Sequence, residues 1–503
     1  MNLELRPEQQ AIVDAVSAAF RSGHKRVMVS ACCGFGKTEI ATAMLAATQA
    51  NGKRGAFLAD RRALVQQTSE RFDKYGLDHG ILMADHWRYR PSTPIQVCSV
   101  QTLQRRGWPA GINVLFVDEA HVLSEAVRGK LEKKDCYAVG LSATAITRGL
   151  GQYFDAVVNA PTTNEMIRMG RLVPLEIHSF DQPDMAGVSI NRHGEYAGPE
   201  AEKRVLQNVG DVVQKYLADG AGRKFICFAW SIAHAEDLQR QFLAAGINVA
   251  TYTADDRPED RHESVQLFKG AGSPIRGLIS VAALTRGFDQ TDVDLLIDAR
   301  PLRRAVHEYV QMLGRVMRAH PGKTHATVFD HSGNAIAFWH QWNDLFENGV
   351  TELDDGKPKQ KKSAAQKLAE PVKCPKCSAV HRPSPCCPVC GHEYPKKRVI
   401  ENVPGSLKEI LASGDSDTMR KSIWPGVCWY VRHTRNPRDD DHAQRMAQAI
   451  YIELTGQPAR ARYSTTAAES CADELLARIR ANQQRWAIAR RASRSQGSAR
   501  AGA

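Results

Sequence analysis

Residues Ala31–Thr38 read ACCGFGKT, and what flanks them decides how the rest of the chain is read. The run Val27-Met28-Val29-Ser30 leads in, and Glu39–Gln49 follows with apolar residues at helical spacing, Ile40, Met44 and Ala47. A strand, a glycine-bearing loop and a helix start form the arrangement in which backbone N–H groups and the helix dipole face a polyphosphate. On that reading Gly34 and Gly36 belong to the phosphate loop, Lys37 reaches the β- and γ-phosphates, and the Thr38 hydroxyl ligands Mg²⁺. The pattern usually opens on glycine; here Ala31 holds that place.

Outward from the loop the chain alternates short apolar runs with amphipathic stretches. A helix is expected over Pro7–Phe20, with proline in its first turn. Strands are expected at Ala56–Ala59, Ile95–Val100, Val114–Val117 and Ala138–Leu141. Such alternation predicts a parallel sheet covered on both faces. Around Arg171–Glu202 the pattern loosens, and then a second alternation begins. Strands are expected at Phe225–Ala229, Val249–Tyr252, Gly277–Ser280, Leu295–Asp298 and Ala326–Phe329, with a helix over Ala305–Arg318. Polar, lysine-rich Asp354–Lys373 reads as a linker, and beyond Val403 the chain reads as helical, with turns at Pro425-Gly426, Asn436-Pro437 and Gly456. The expected division is 1–170, 171–348, a linker 349–372, a cysteine module 373–396, and a basic helical region 397–503 with a disordered tail.

Two further clusters carry chemistry. In NVLFVDEAH, Asp118 and Glu119 stand at the C-terminal end of an apolar strand, where ligands sit in open α/β sheets. Asp118 can hold Mg²⁺ and Glu119 can orient and deprotonate a water. In QMLGRVMR, Gln311, Arg315 and Arg318 are spaced by four and three, so they share one helical face, while Val310, Leu313 and Val316 pack another. Arginines on such a face suit phosphate, and would complete a nucleotide site only when two domains close.

These elements, in this order, resemble the motifs of superfamily 2 helicases of the DEAH type. Leu5–Gln9 resembles that family's adenine-reading segment, with Gln9 at the matching place. Ala59–Arg62 and Ser99–Leu103 resemble its strand-contacting motifs, and Ser142-Ala143-Thr144 its coupling motif. Leu284–Asp289 resembles the fifth motif and Gln311–Arg318 the sixth. The resemblance runs from about Leu5 to Phe329. It implies two tandem RecA-like domains that hydrolyse ATP with Mg²⁺, with Lys37, Asp118, Glu119, Gln311, Arg315 and Arg318 in catalysis. It implies Gln9, Gly34, Gly36, Lys37, Thr38, Asp118, Gly287 and Asp289 around the nucleotide, and Ser142 and Thr144 in coupling. Arg61, Arg62, Gln101, Thr102 and Thr285 are the expected contacts to nucleic acid.

Past the motor, Cys374-Pro-Lys-Cys377 and Cys387-Pro-Val-Cys390 are paired knuckles that suit Zn²⁺ in a closed four-thiolate site. Cys386 could replace Cys387 as a ligand, and His381 and His392 are possible substitutes. With 67 Lys+Arg against 55 Asp+Glu, the net charge of +12 favours a nucleic-acid partner. No apolar run reaches membrane-spanning length and the first residues carry no apolar leader core, so a cytoplasmic protein of a bacterial or phage-infected cell is expected. DNA is favoured over RNA because the LRPxQ entry and DEAH spelling resemble DNA repair and restriction motors, and the trailing ribbon and basic tail resemble phage replication helicases. The alternatives are the motor of a restriction system, an RNA helicase, or a scaffold with an inactive ATPase. No acidic-pair-plus-lysine nuclease motif is found. Replication or repair proteins are expected partners of the ribbon or tail.

Overall fold

The computed structural model describes residues 3–481 except 181, 193, 208, 254, 271, 282–289, 358–369, 395–415, 457, 460–461, 463–470, 472, 474 and 478. The chain forms two compact units, Met1–Lys396 and Lys397–Ala503.

The first unit holds two parallel sheets. The first is built from β1 (Arg26–Ser30), β2 (Arg54–Ala59), β3 (Gly80–Leu82), β4 (Ile95–Ser99), β5 (Ile112–Val117), β6 (Tyr137–Ser142) and β7 (Ala156–Asn159), in the order β3-β4-β2-β5-β6-β1-β7. Every residue of β1 and β4 is buried, as a sheet covered on both faces requires. Register fixes where the motifs emerge: Ser30 of β1 lies opposite Ser142 of β6, Leu58 of β2 opposite Val117 of β5, and Ala59 opposite Ser99 of β4. All five strands therefore release their C-terminal loops along one edge, which is the binding edge of an open α/β sheet.

The second sheet comprises β8 (Leu175–Ser179), β9 (Phe225–Phe228), β10 (Val249–Tyr252), β11 (Gly277–Ser280), β12 (Leu295–Asp298) and β13 (Ala326–Asp330), in the order β10-β11-β9-β12-β13-β8. Two parallel-sheet domains in tandem are thus present, as the sequence leads one to expect. β8 was not expected, because it lies in the stretch where the apolar pattern loosens. It is an edge strand, only partly buried, and its Glu176 and His178 interrupt the apolar run that marks a central strand.

Two segments after the second sheet turn back onto the unit. Val350–Gly356 was expected to begin a linker, yet it runs along the first domain. Asn159 bonds Val350, Gly151 N donates to Asp354 O at 2.8 Å, and Gly149 N donates to Asp354 Oδ1 at 3.1 Å. The cysteine module, with its short hairpin β14 (Val372–Lys373) and β15 (Val380–His381), covers the outer edge of β8. Ser179 N donates to Ser378 O at 3.0 Å, and His178 Nδ1 lies 2.7 Å from Cys377 O. An edge that would otherwise offer unpaired backbone is thereby closed.

The second unit contains helices Ser416–Thr434 and Asp440–Thr455. A turn was expected at Pro425-Gly426, but the helix continues through it. Interior proline costs about 3 kcal/mol. Trp424, Val427, Cys428 and Val431 bury against Ala443, Ala447 and Tyr451, and each large side chain so buried contributes about 1.5–3 kcal/mol, so packing wins. Gly456, at φ +73°, does end the second helix.

Candidate nucleotide site and nucleic-acid track

The loop after β1 is shaped by Gly34 (φ +85°) and Gly36 (φ +96°), backbone that side chains rarely tolerate. At Gly36 a Cβ would fall 2.3 Å from Gln9 Nε2. Gln9 is buried and packed on the loop: its Nε2 donates to Phe35 O at 2.9 Å and its Oε1 accepts Arg6 N at 3.0 Å. Arg6, absent from the expected site residues, also donates its guanidinium to Phe35 O. Ala31 keeps the sheet going one step further, with its N bonded to Ser142 O at 2.9 Å. Thr38 sits in the first turn of the helix Lys37–Ala50.

Lys37 Nζ reaches back to Ala31 O at 3.3 Å. Desolvation acts to lower its ammonium, but the charges of Cys33, Glu119 and Asp118 outweigh it and hold Lys37 above the ordinary lysine value. Desolvation, reinforced by the Glu119 carboxylate, pushes Asp118 up to about 7 against the pull of Lys37. A lysine and two carboxylates are thus gathered where β1 and β5 end, and a bound divalent cation would restore Asp118 to its charged form. Glu119 has φ +48°, in the left-handed region, where a non-glycine residue is strained.

The second domain closes directly on this loop. A Cβ at Gly314 would fall 2.3 Å from Cys33 Cβ, so only glycine lets the helix Val306–Val316 come this near. Gln311 Nε2 donates to Glu119 Oε2 at 3.0 Å across the domain boundary. Arg315 is buried, its charge disfavoured by desolvation and favoured by Cys33 and Glu119. The helix expected to reach Arg318 ends at Val316; Arg318 lies past it, bridged to Leu172, and its side chain runs beside Gly34, where desolvation lowers it too. The structure therefore brings Lys37, Asp118, Glu119, Gln311, Arg315 and Arg318 into one site.

Ser142 and Thr144 are fully buried behind the carboxylates. His121 Nδ1 lies 3.2 Å from Glu119 Oε2 and 3.1 Å from Ser142 Oγ, which in turn accepts Thr144 N at 3.0 Å. A polar chain thus joins Glu119 to the end of β6. His121 is not among the expected site residues; its place as the last letter of DEAH is the signal in the sequence that points to it.

Arg61 and Arg62 are exposed where the helix Arg62–Lys74 begins, and Gln101 Nε2 joins them by donating to Asp60 O at 2.5 Å. Thr102 is half-buried, and its Oγ1 accepts Ala84 N at 3.1 Å, so it also braces a neighbouring loop. Thr285, Gly287 and Asp289 lie outside the described residues.

The ligand atoms of Cys374, Cys377, Cys387 and Cys390 lie within 4.8 Å of one another, with Sγ–Sγ distances of 3.7 Å for Cys374–Cys390 and Cys377–Cys387. A tetrahedral ion with metal–sulfur bonds near 2.3 Å has edges of about 3.8 Å, so the four thiols fit one. Cys386 is exposed and outside this cluster, and His381 Nε2 is bonded to Tyr394 Oη. Among the described residues no helix is long and apolar enough to cross a membrane.

Comparison with known families agrees with this geometry. Residues 2–147 match the family "Type III restriction enzyme, res subunit", and residues 208–320 match "Helicase conserved C-terminal domain". A 51.5 kDa protein of Lactococcus phage isolate 7-9 is 25% identical over 380 residues, covering 73% of this chain and 78% of that protein. IRC3 of Saccharomyces cerevisiae, named as a candidate ATP-dependent helicase, is 27% identical over 359 residues, covering 65% of this chain and 51% of the yeast protein. A fragment assigned to the HsdR subunit of a type I restriction enzyme from Vibrio vulnificus YJ016 shares the fold, with TM-score 0.53 and 20% identity over 70% of this chain and 67% of that one. With a nucleotide loop, a DEAH strand end and an arginine-bearing helix meeting at one edge, and helicase families matched in both domains, the chain is an ATP-hydrolysing helicase and belongs to superfamily 2.

Proposed function

We propose that this ATP-dependent helicase works on DNA, its two domains closing on ATP·Mg²⁺ and opening after hydrolysis to move along or separate strands. The observation that carries the motor reading is the Gln311–Glu119 hydrogen bond, which ties the second domain to the carboxylate proposed to activate water. Lys37 and the loop amides would hold the β- and γ-phosphates, while Thr38 and Asp118 would hold Mg²⁺. Arg315 and Arg318 would meet charge developing on the transferred phosphoryl group. Ser142, Thr144 and His121 would relay the state of Glu119 to the strand ends. Arg61, Arg62 and Gln101 would grip phosphates, a contact that positions a strand without reading its sequence.

DNA is favoured because the first domain matches a family named for restriction enzymes, whose substrate is DNA. That match also supports a second reading, the motor of a restriction system with its nuclease on another chain. ATPase activity measured with single-stranded DNA, duplex DNA, forked DNA and RNA tests the assignment. We expect stimulation by DNA that weakens steeply with salt, because phosphate neutralisation dominates such binding. Stimulation by RNA alone would remove the DNA assignment, and a flat salt response would remove the backbone-tracking track.

The four-thiol cluster is proposed to hold structural Zn²⁺, because so small an apolar core cannot fold the module by burial. Metal analysis should find one zinc per chain. Chelation should lower the melting temperature, since the module caps β8, while basal ATP turnover persists. Purified protein that contains no zinc would end this proposal.

A further inference from the structure

The loop between β3 and β4 contains the run His86-Trp87-Arg88-Tyr89-Arg90, aromatic and basic residues in alternation. Trp87 is 82% exposed, the most open large hydrophobic side chain among those described, and Tyr89 is 47% exposed. Ordinary burial does not account for such a side chain, since an indole left in water forgoes about 1.5–3 kcal/mol or more.

The loop is nevertheless firmly held. Arg88 donates to both carboxylate oxygens of Asp73 at 2.8 Å and to Ser69 Oγ at 3.1 Å, which fixes it to the helix Arg62–Lys74. Its guanidinium lies 5.1 Å from the Trp87 ring centroid, and the His86 ring stacks on the indole at 5.7 Å. Arg106 donates to Ala84 O at 2.8 Å and lies 5.7 Å from the Tyr89 ring. Thr102 anchors the loop from the helix Val100–Arg106 by accepting Ala84 N. Two exposed rings, each beside an arginine, are therefore mounted on the same helices that present Arg61, Arg62 and Gln101.

We propose that Trp87, supported by Tyr89, is a stacking platform for an unpaired base of single-stranded DNA leaving the phosphate track. This rests on the DNA-motor reading given above. The flat ring supplies a π-face that any base can use, and the adjacent arginine charge favours the flanking phosphates. Stacking of this kind tolerates all sequences, which suits a device that moves along a strand. Its failure would leave the phosphate contacts intact, so the platform and the track separate experimentally.

The test is the affinity of the full-length protein for oligo(dT), for the same strand carrying an abasic spacer and for oligo(U), measured by anisotropy for wild type, Trp87→Ala and Trp87→Phe. We expect Trp87→Ala to bind oligo(dT) roughly 5- to 100-fold more weakly, with Trp87→Phe recovering much of the loss. One placement of the spacer should weaken wild type yet leave Trp87→Ala unchanged, because base and ring are then the same interaction counted once. ATP turnover without nucleic acid should match wild type in both variants. Equal affinity of wild type and Trp87→Ala for oligo(dT) overturns the platform while leaving the motor in place. Wild type that binds no DNA overturns the underlying reading instead. A loss confined to RNA would reassign the ligand, and loss of affinity equal for intact and abasic strands at every spacer position would reduce Trp87 to a brace for its loop.

Discussion

Arg315→Ala should lower nucleic-acid-stimulated ATP turnover by about 10³–10⁵-fold, the range that removal of an arginine finger produces. That loss corresponds to about 4–7 kcal/mol of activation free energy. The reason is positional: Arg315 is buried between Cys33 of the phosphate loop and Glu119, on a helix brought close by Gly314. Removing it also takes a buried cation away from Glu119, so a thermal melt of the variant must show a folded protein before turnover is compared. Arg315→Lys should recover little, because a lysine offers a point charge without the planar fork. Fluorescent-nucleotide binding separates the effects: affinity for ATP should change far less than turnover. A variant that hydrolyses ATP within tenfold of wild type would show that the closing helix does not serve the reaction.

Glu119→Gln should reduce turnover by about 10²–10⁴-fold while ATP still binds, as expected for loss of a general base. The substitution keeps the size of the side chain, and the Gln311 Nε2 bond at 3.0 Å still finds a carbonyl oxygen. Single-turnover measurements on this variant should find the cleavage step slowed, with release of product unaffected. Retention of near-normal single-turnover rates would assign water activation elsewhere. The two variants make a further pair: if Arg315 and Glu119 act on one transition state, the double variant should lose much less than the product of the single losses.

Much of this site could be read in the chain before any fold was known, for a physical reason. Phosphate chemistry is delivered by backbone and by short motifs at strand ends, and ACCGFGKT and NVLFVDEAH carry both the strand and the ligand. The helix Val306–Val316 was legible in part: Gln311 and Arg315 share a face that a 3.6-residue period defines, but the helix stops before Arg318, which is held instead by a bridge to Leu172. What escaped were features set by tertiary contact. β8 lacks a continuous apolar run because it is an edge, and the hairpin that protects it belongs to the cysteine module. Gln9 could be named, but its partner Phe35 O, and Arg6 beside it, emerge only when the helix Pro7–Arg21 packs on the loop. Pro425 marked a turn by local rules and was overruled by the apolar face around it.

The stretch Val350–Gly356 alters what the motor can do mechanically. The chain passes from the first lobe to the second once, ahead of β8, and after finishing the second sheet it returns to be fastened at Asn159, Gly149 and Gly151. Two lobes leashed at both ends of one of them can swivel, but cannot drift apart without first peeling those bonds away. The fastening lies on Gly149–Asn159, the segment that follows the Ser142–Thr144 chain, so it is anchored close to the end of β6.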